Sequence, residues 1–221
     1  MSGFSTARQK MVDGQVRTSD VTDAHILDAM LAVPREAFVP DSKRALAYLD
    51  LDLDVSEGGG PKRYLIKPAV LAKMLQAAEI SSTDRVLIVG CATGYAAAVV
   101  ARFAGEVFAT ESAPALADRA RAALAAVGAS NITLTVAPTA KGDAASAPFD
   151  VIVLNGATEI VPQELCEQLR EDGRLVGVFA LSQPQRAAIV THTHGDFGHR
   201  PLFDATAPVL PGLERLPAFV F

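Results

Sequence analysis

Residues 86–95, VLIVGCATGY, run from four apolar residues into a turn framed by Gly90 and Gly94. Such a run, closed by a glycine turn and followed by AAAVVA, reads as a buried parallel strand passing into a helix. A missing Cβ lets the backbone turn tightly there and come close to a ligand. The N–H groups that open the following helix favour a carboxylate or a phosphate. In a dinucleotide fingerprint a glycine would stand at Ala92 and a small residue at Tyr95. NAD is therefore disfavoured, and so is a P-loop, because no Gly-Lys-Ser/Thr follows.

Outward from this turn the chain keeps a βαβαβ rhythm. Apolar runs lie at RVLIV (85–89), EVFAT (106–110), NITLTV (131–136) and FDVIVL (149–154), separated by alanine-rich helical stretches at 94–104 and 113–127. Strands apolar on both faces suit a parallel sheet covered by helices. A helix over PQELCEQL (162–169), strands over RLVGVFAL (174–181) and QRAAIVTHT (185–193), and a possible strand at AFVF (218–221) extend the sheet, with a late antiparallel hairpin. Upstream, PAVLAKMLQAAEI (68–80) opens with Pro68 at a good first helical position, and Ile26, Leu27, Met30 and Leu31 recur at helical spacing until Pro34 and Pro40 end the pattern. Residues 41–67, with a DLDLD run and Gly58 to Gly60, read as an irregular, mobile, lid-like surface loop. The expected fold is α/β: a doubly wound, mostly parallel sheet of the Rossmann-like type, in one compact domain overall. Residues 1–67 supply N-terminal helices and the loop, and residues 68–221 supply the sheet.

The chain has 221 residues, half of them hydrophobic, and a net charge of −5. It therefore lacks the basic surplus that phosphate neutralisation demands, and nucleic acid is not an expected partner. Cys91 and Cys166 form no CxxC and no Cys/His quartet, so neither a disulfide framework nor a zinc site is expected. No secretory leader or membrane-length apolar run is present, and a cytoplasmic protein is expected.

Glu111 stands at the end of the second strand, about twenty residues beyond the turn, where an acid can accept both ribose hydroxyls of an adenosine ligand. The alternative is an acid at the N-terminus of the next helix. Cys91 is either a thiol poised at a helix start or a small packing residue. In THTHGDFGH (191–199) the histidines have strand spacing, but the Gly195-Asp196 pair suits a hairpin turn, and no metal is assigned to them.

Taken together, AMLAVPREAFVP (29–40), AYLD (47–50), Lys67-Pro68, VLIVGCATGYAAAVVA (86–101), PFDVIVLNGA (148–157) and QLREDGRLV (168–176) resemble the protein-L-isoaspartate O-methyltransferase family, in the family's order. The resemblance covers roughly residues 8 to 182, and the tail from 183 matches poorly. It implies a methyltransferase dependent on S-adenosylmethionine that methylates carboxylates of damaged aspartyl residues in proteins or peptides. It places cofactor contacts at Gly90, Cys91, Ala92, Gly94, Tyr95 and Glu111, and Asn155 near the transfer site. It also exposes departures. Ile66 stands where the family carries a hydroxyl that engages the substrate carboxylate, Ile88 where it carries an acid, and Val136-Ala137-Pro138 where it carries Gly-Asp-Gly. A carboxylate acceptor is already ionised at pH 7, its pKa lying near ~4, so orientation matters more than a base. The cations Lys62, Arg63 and Lys67 either hold an acidic acceptor or belong to a solvated loop, and Tyr64 either stacks on a ligand or packs the loop. No catalytic residue is fixed by the sequence; Arg63, Tyr64 and Asn155 are the candidates. A silent relative acting as a binding module and a methyltransferase with a changed acceptor are the alternative readings.

Overall fold

The computed structural model describes residues 3–56 and 60–216. Its N-terminal section holds α1 (Gly3–Met11), α2 (Ala24–Ala32) and a two-stranded hairpin of β1 (Leu53–Asp54) and β2 (Tyr64–Leu65). The Rossmann-like portion follows: α3 (Pro68–Ala78), β3 (Arg85–Val89), α4 (Tyr95–Val100), β4 (Glu106–Glu111), α5 (Pro114–Ala126), β5 (Ile132–Val136) and β6 (Phe149–Thr158). Then come a single helical turn, α6 (Gln163–Cys166), and β7 (Leu169–Phe179), β8 (Arg186–Thr193) and β9 (Asp196–Asp204).

The sheet order is β5-β4-β3-β6-β7-β8-β9. Strands β5 through β7 pair in parallel, and β8 and β9 close the sheet antiparallel. Val86 to Val89 are fully buried, as the apolar run requires of a central strand covered on both faces. From β3 the chain runs first to β4 and β5 on one side and then returns to β6 on the other. That reversal opens a switch point at the carboxyl ends of β3 and β6, the place where doubly wound sheets bind ligands.

Several boundaries differ from the sequence reading. The helix expected over 94–104 ends at Val100. The one expected over 162–169 is a single turn, and β7 starts at Leu169, with its register shifting before Arg174 pairs with Val151. Asp172, at φ 60°, gives the backbone the left-handed residue this excursion needs. The late hairpin turns on His194 and Gly195, at φ 54° and 81°, one residue earlier than Gly195-Asp196, because a two-residue turn of this hand requires positive φ at both centres. The expected strand at 218–221 lies outside the described residues.

The largest correction concerns residues 41–67. Among the described residues 41–56 and 60–67 the expected lid-like loop is a packed strap: Leu53 pairs with Leu65 and Asp54 with Tyr64, and the Val55 N–H donates to the Arg63 carbonyl at 2.9 Å; Gly58 and Gly59 lie outside the described residues. Leu53 and Val55 point into the core, while Asp52 and Asp54 point out to bind the Lys67 N–H at 3.0 Å and the Lys62 ammonium at 2.9 Å. The DLDLDV run is thus a strand pattern of period two.

Candidate active site

Three strand ends meet at the switch point. Gly90, Ala92 and Gly94 in the turn after β3 have φ values of 68°, 53° and 96°. The Cys91 N–H donates to the Thr110 carbonyl at 2.9 Å, which ties the turn to β4. At the end of β4, Glu111 is fully buried, and its carboxylate accepts the N–H of Ala92 at 3.0 Å and that of Ala113, just before α5, at 3.0 Å. The carboxylate thus bridges the glycine turn and the entrance to α5, as the reading of an acid at a helix N-terminus expects. Across the gap, the Asn155 amide donates to the Gly90 carbonyl at 3.0 Å and to the Tyr64 carbonyl at 3.4 Å.

Arg63 departs from both of its sequence readings. Its guanidinium is only 2% exposed; Nε donates to Glu111 Oε1 at 2.9 Å, and Nη2 donates to the Ser112 hydroxyl. It is neither solvated nor free to receive an acceptor carboxylate. Lys62 stays at the surface on Asp54, and Lys67 reaches the Thr206 hydroxyl at 3.4 Å. Ile66 is buried, and Tyr64 is half-buried in the strap. Ile88 is buried within β3, and Val136 ends β5 partly exposed.

Two of the expected cofactor residues, Cys91 and Tyr95, have side chains packed into the core. The Cys91 thiol is fully buried, and its pKa is driven up by burial and then by the nearby Glu111 carboxylate, so the small-packing-residue reading holds over the reactive thiol. Tyr95 lies against Phe38 with ring centres 5.7 Å apart and beneath the Arg35 guanidinium at 4.6 Å. Among the described residues no group of His, Cys, Asp and Glu is arranged to hold a metal, and His192 stacks on Phe197.

The sequence reading missed Leu210. The segment carrying it lies along the end of β6: the Ala157 N–H donates to the Pro208 carbonyl and the Leu210 N–H to the Ala157 carbonyl, both at 2.8 Å. The Leu210 side chain rests on two bare glycine backbones. A Cβ at Gly90 would stand 2.7 Å from it, and one at Gly156 2.8 Å. No motif in the tail marks it. Arg35 was also missed, although a lone arginine inside VPREAFVP is surrounded by the apolar residues of a buried segment.

An adenosine cofactor needs a free acceptor at Glu111 and several hundred Å³ of space. The glycine turn and the Glu111 carboxylate suit it, but one oxygen of that carboxylate is taken by Arg63. Between Lys62, Arg63, Tyr64, Ile66, Asn155 and Leu210 the cavity measures about 10 Å³, near the volume one water needs. A roomier depression of about 380 Å³, between Pro34 and Asn131, includes none of these residues. The residues present fit S-adenosylmethionine, with Arg63 standing on the carboxylate that its ribose would use.

A doubly wound sheet with a glycine turn after its first long strand and an acid at the end of the next has the Rossmann-like methyltransferase architecture. The family model "Protein-L-isoaspartate(D-aspartate) O-methyltransferase (PCMT)" matches residues 6–201. The protein-L-isoaspartate O-methyltransferase of Roseiflexus sp. (strain RS-1) is 42% identical over 78% of this chain and 77% of its own. Protein-L-isoaspartate O-methyltransferase 1 of Rhodopseudomonas palustris (strain HaA2) is 40% identical over 88% and 78%. A solved protein-L-isoaspartate O-methyltransferase superposes with a TM-score of 0.83 at 25% identity, covering 94% of this chain and 67% of that one. The fold is shared too by a putative Plasmodium falciparum member in complex with S-adenosyl-L-homocysteine, with a TM-score of 0.78 at 17% identity, covering 92% and 97%. The chain belongs to the protein-L-isoaspartate(D-aspartate) O-methyltransferase family.

No helix among the described residues is long and apolar enough to cross a membrane.

Proposed function

We propose that this chain is an S-adenosylmethionine-dependent protein-L-isoaspartate O-methyltransferase that acts on the carboxylate of damaged aspartyl residues in proteins or peptides. The observation that carries the reading is the Glu111 carboxylate, bonded at 3.0 Å to the Ala92 N–H of the glycine turn, at the switch point of a family member's sheet. When bound, the cofactor supplies an activated methyl group. This chain's own part is to bind and orient. Glu111 takes the ribose hydroxyls, the Gly90–Gly94 turn lines the cofactor, and Asn155 fixes the turn from β6. The acceptor is already a carboxylate anion at pH 7, so no side chain has to remove a proton from it. Ile66 leaves the acceptor without the hydroxyl that the family resemblance implies. The buried, unpaired Cys91 and Cys166 suit a reducing cytoplasmic setting, and the negative net charge favours a protein or peptide acceptor over nucleic acid.

The test is transfer of labelled methyl from S-adenosylmethionine to an isoaspartyl peptide, with the matched aspartyl peptide as control. Turnover specific to the isoaspartyl peptide is expected. Calorimetric titration should show Glu111→Ala weakening S-adenosylhomocysteine binding about tenfold or more, the order expected for a lost hydrogen bond to a charged group. An unchanged dissociation constant would remove the ribose role of Glu111.

A further inference from the structure

We infer that the cofactor cleft of this chain is closed by two of its own side chains, and that a donor binds only as they withdraw. Arg63 holds the Glu111 carboxylate that ribose hydroxyls would use, and Leu210 fills the space above Gly90 and Gly156. This rests on the proposal that the chain takes an adenosine donor at this site.

Three observations converge. First, Arg63 satisfies Glu111 as a ligand would: the carboxylate already receives two backbone N–H groups, and the guanidinium adds a bond at 2.9 Å while also binding Ser112. Second, Leu210 uses the bare faces of two glycines; its side chain would be 2.7 Å from a Cβ at Gly90 and 2.8 Å from one at Gly156. The glycine turn, which lets a backbone approach a ligand, here lets it approach a leucine. Third, the cavity that Arg63 and Leu210 both line measures only about 10 Å³.

The two closing groups come from different parts of the chain. Arg63 belongs to the strap, whose far end is pinned where the Arg35 guanidinium donates to the Ile66 carbonyl at 2.9 Å. Leu210 lies beyond residue 201, where the family match ends. Each obstacle sits on a short segment held by its own amide, Arg63 N–H on the Ser56 hydroxyl and Leu210 N–H on the Ala157 carbonyl, so withdrawal of each side chain loosens that bond while the rest of the strap stays folded. Arg63 and the ribose hydroxyls then compete for one carboxylate. The apparent affinity falls by the fraction of molecules in which the cleft is open.

The experiment is calorimetric titration of S-adenosylhomocysteine into the full chain, Arg63→Ala and Leu210→Ala, with hydrogen exchange on the parent. Each variant is expected to bind about tenfold more tightly than the parent, or better, by the same population arithmetic. In the parent at saturation, the amides of Arg63 and Leu210, bonded to the Ser56 hydroxyl and the Ala157 carbonyl, should exchange faster than without ligand. A preformed pocket would slow them. Should Arg63→Ala fail to fold, Leu210→Ala and the exchange rates decide. Parent binding as tight as both variants, with protected amides, overturns the closure and leaves the donor assignment standing. No binding by the parent or any folded variant at millimolar ligand overturns the donor assignment, and the closure with it.

Discussion

The Arg35 guanidinium sits 4.6 Å above the Tyr95 ring, and from there it bonds the carbonyl of Ala47 at 2.8 Å and that of Ile66 at 2.9 Å. One buried cation thus joins the N-terminal section, the helix after the glycine turn and the strap. Burial pushes its pKa below the ordinary guanidinium value, partly offset by the Tyr95 ring and hydroxyl. Arg35→Met would keep the volume but leave two buried carbonyls without a donor. The expected cost is about 3 kcal/mol or more, read from urea unfolding. Arg35→Lys should recover only part of it, since one ammonium does not reproduce the planar fork. A loss below ~1 kcal/mol for Arg35→Met would show that the strap is held elsewhere.

How much of this was legible follows from where each signal lies. The strands at 85–89 and 149–154 and the acid at 111 came from short, local patterns: an apolar run, a glycine pair and a spacing. The strap was misread because its strands are two residues each, so the alternation in DLDLDV was outweighed by the charge and glycine around it. Arg63 belongs to no local pattern. Its burial depends on a carboxylate 48 positions away, and a cation in a polar stretch looks the same whether it meets water or Glu111. Leu210 lies in a tail whose place is set by backbone bonds to Ala157, which the order of residues does not announce.

Ala92 holds φ at 53°, in the left-handed region, between two glycines that hold it too. An alanine there bears a strain of roughly 1–2 kcal/mol, which glycine escapes, while glycine loses about 0.5–1 kcal/mol through the freer unfolded chain. Ala92→Gly is therefore expected to be neutral or to stabilise by up to about 1 kcal/mol, measured by the denaturant midpoint at unchanged slope. A loss above ~1 kcal/mol would mean that the buried methyl packs better than it strains.

Asp54 ties the strap to its base. Partial burial pushes its carboxyl up, but the Lys62 ammonium, the Ser56 N–H and hydroxyl, and Lys43 outweigh that and hold its pKa at about 2, below the ordinary 3.8. The folded value is depressed, so the stabilisation is full above the unfolded pKa of about 4 and fades as pH falls toward 2. Asp54→Asn should be less stable than the parent at pH 7, and the gap should narrow at pH 3. Unfolding curves at both values check this. A gap that stays constant would mean that the asparagine loses shape or packing and not charge.

Ile66 is buried, with its carbonyl fixed by Arg35, and it lines the small cavity beside Arg63 and Asn155. Ile66→Thr keeps the branched shape and puts a hydroxyl at the position where the family resemblance implies one. Burying that hydroxyl in place of an ethyl group should cost about 1–3 kcal/mol of stability. Its effect on methyl transfer to an isoaspartyl peptide depends on closure, because an orienting contact counts only in molecules that hold the donor. With Arg63 still on Glu111, Ile66→Thr alone is expected to leave the rate within about twofold of the parent at low donor concentration. Combined with Arg63→Ala it should raise the rate about tenfold or more, since the open fraction then rises too. The comparison also needs Arg63→Ala alone. If that single change gives the whole rise, the hydroxyl contributes nothing to transfer here. If Ile66→Thr alone gives it, the missing hydroxyl and not the arginine limits this site.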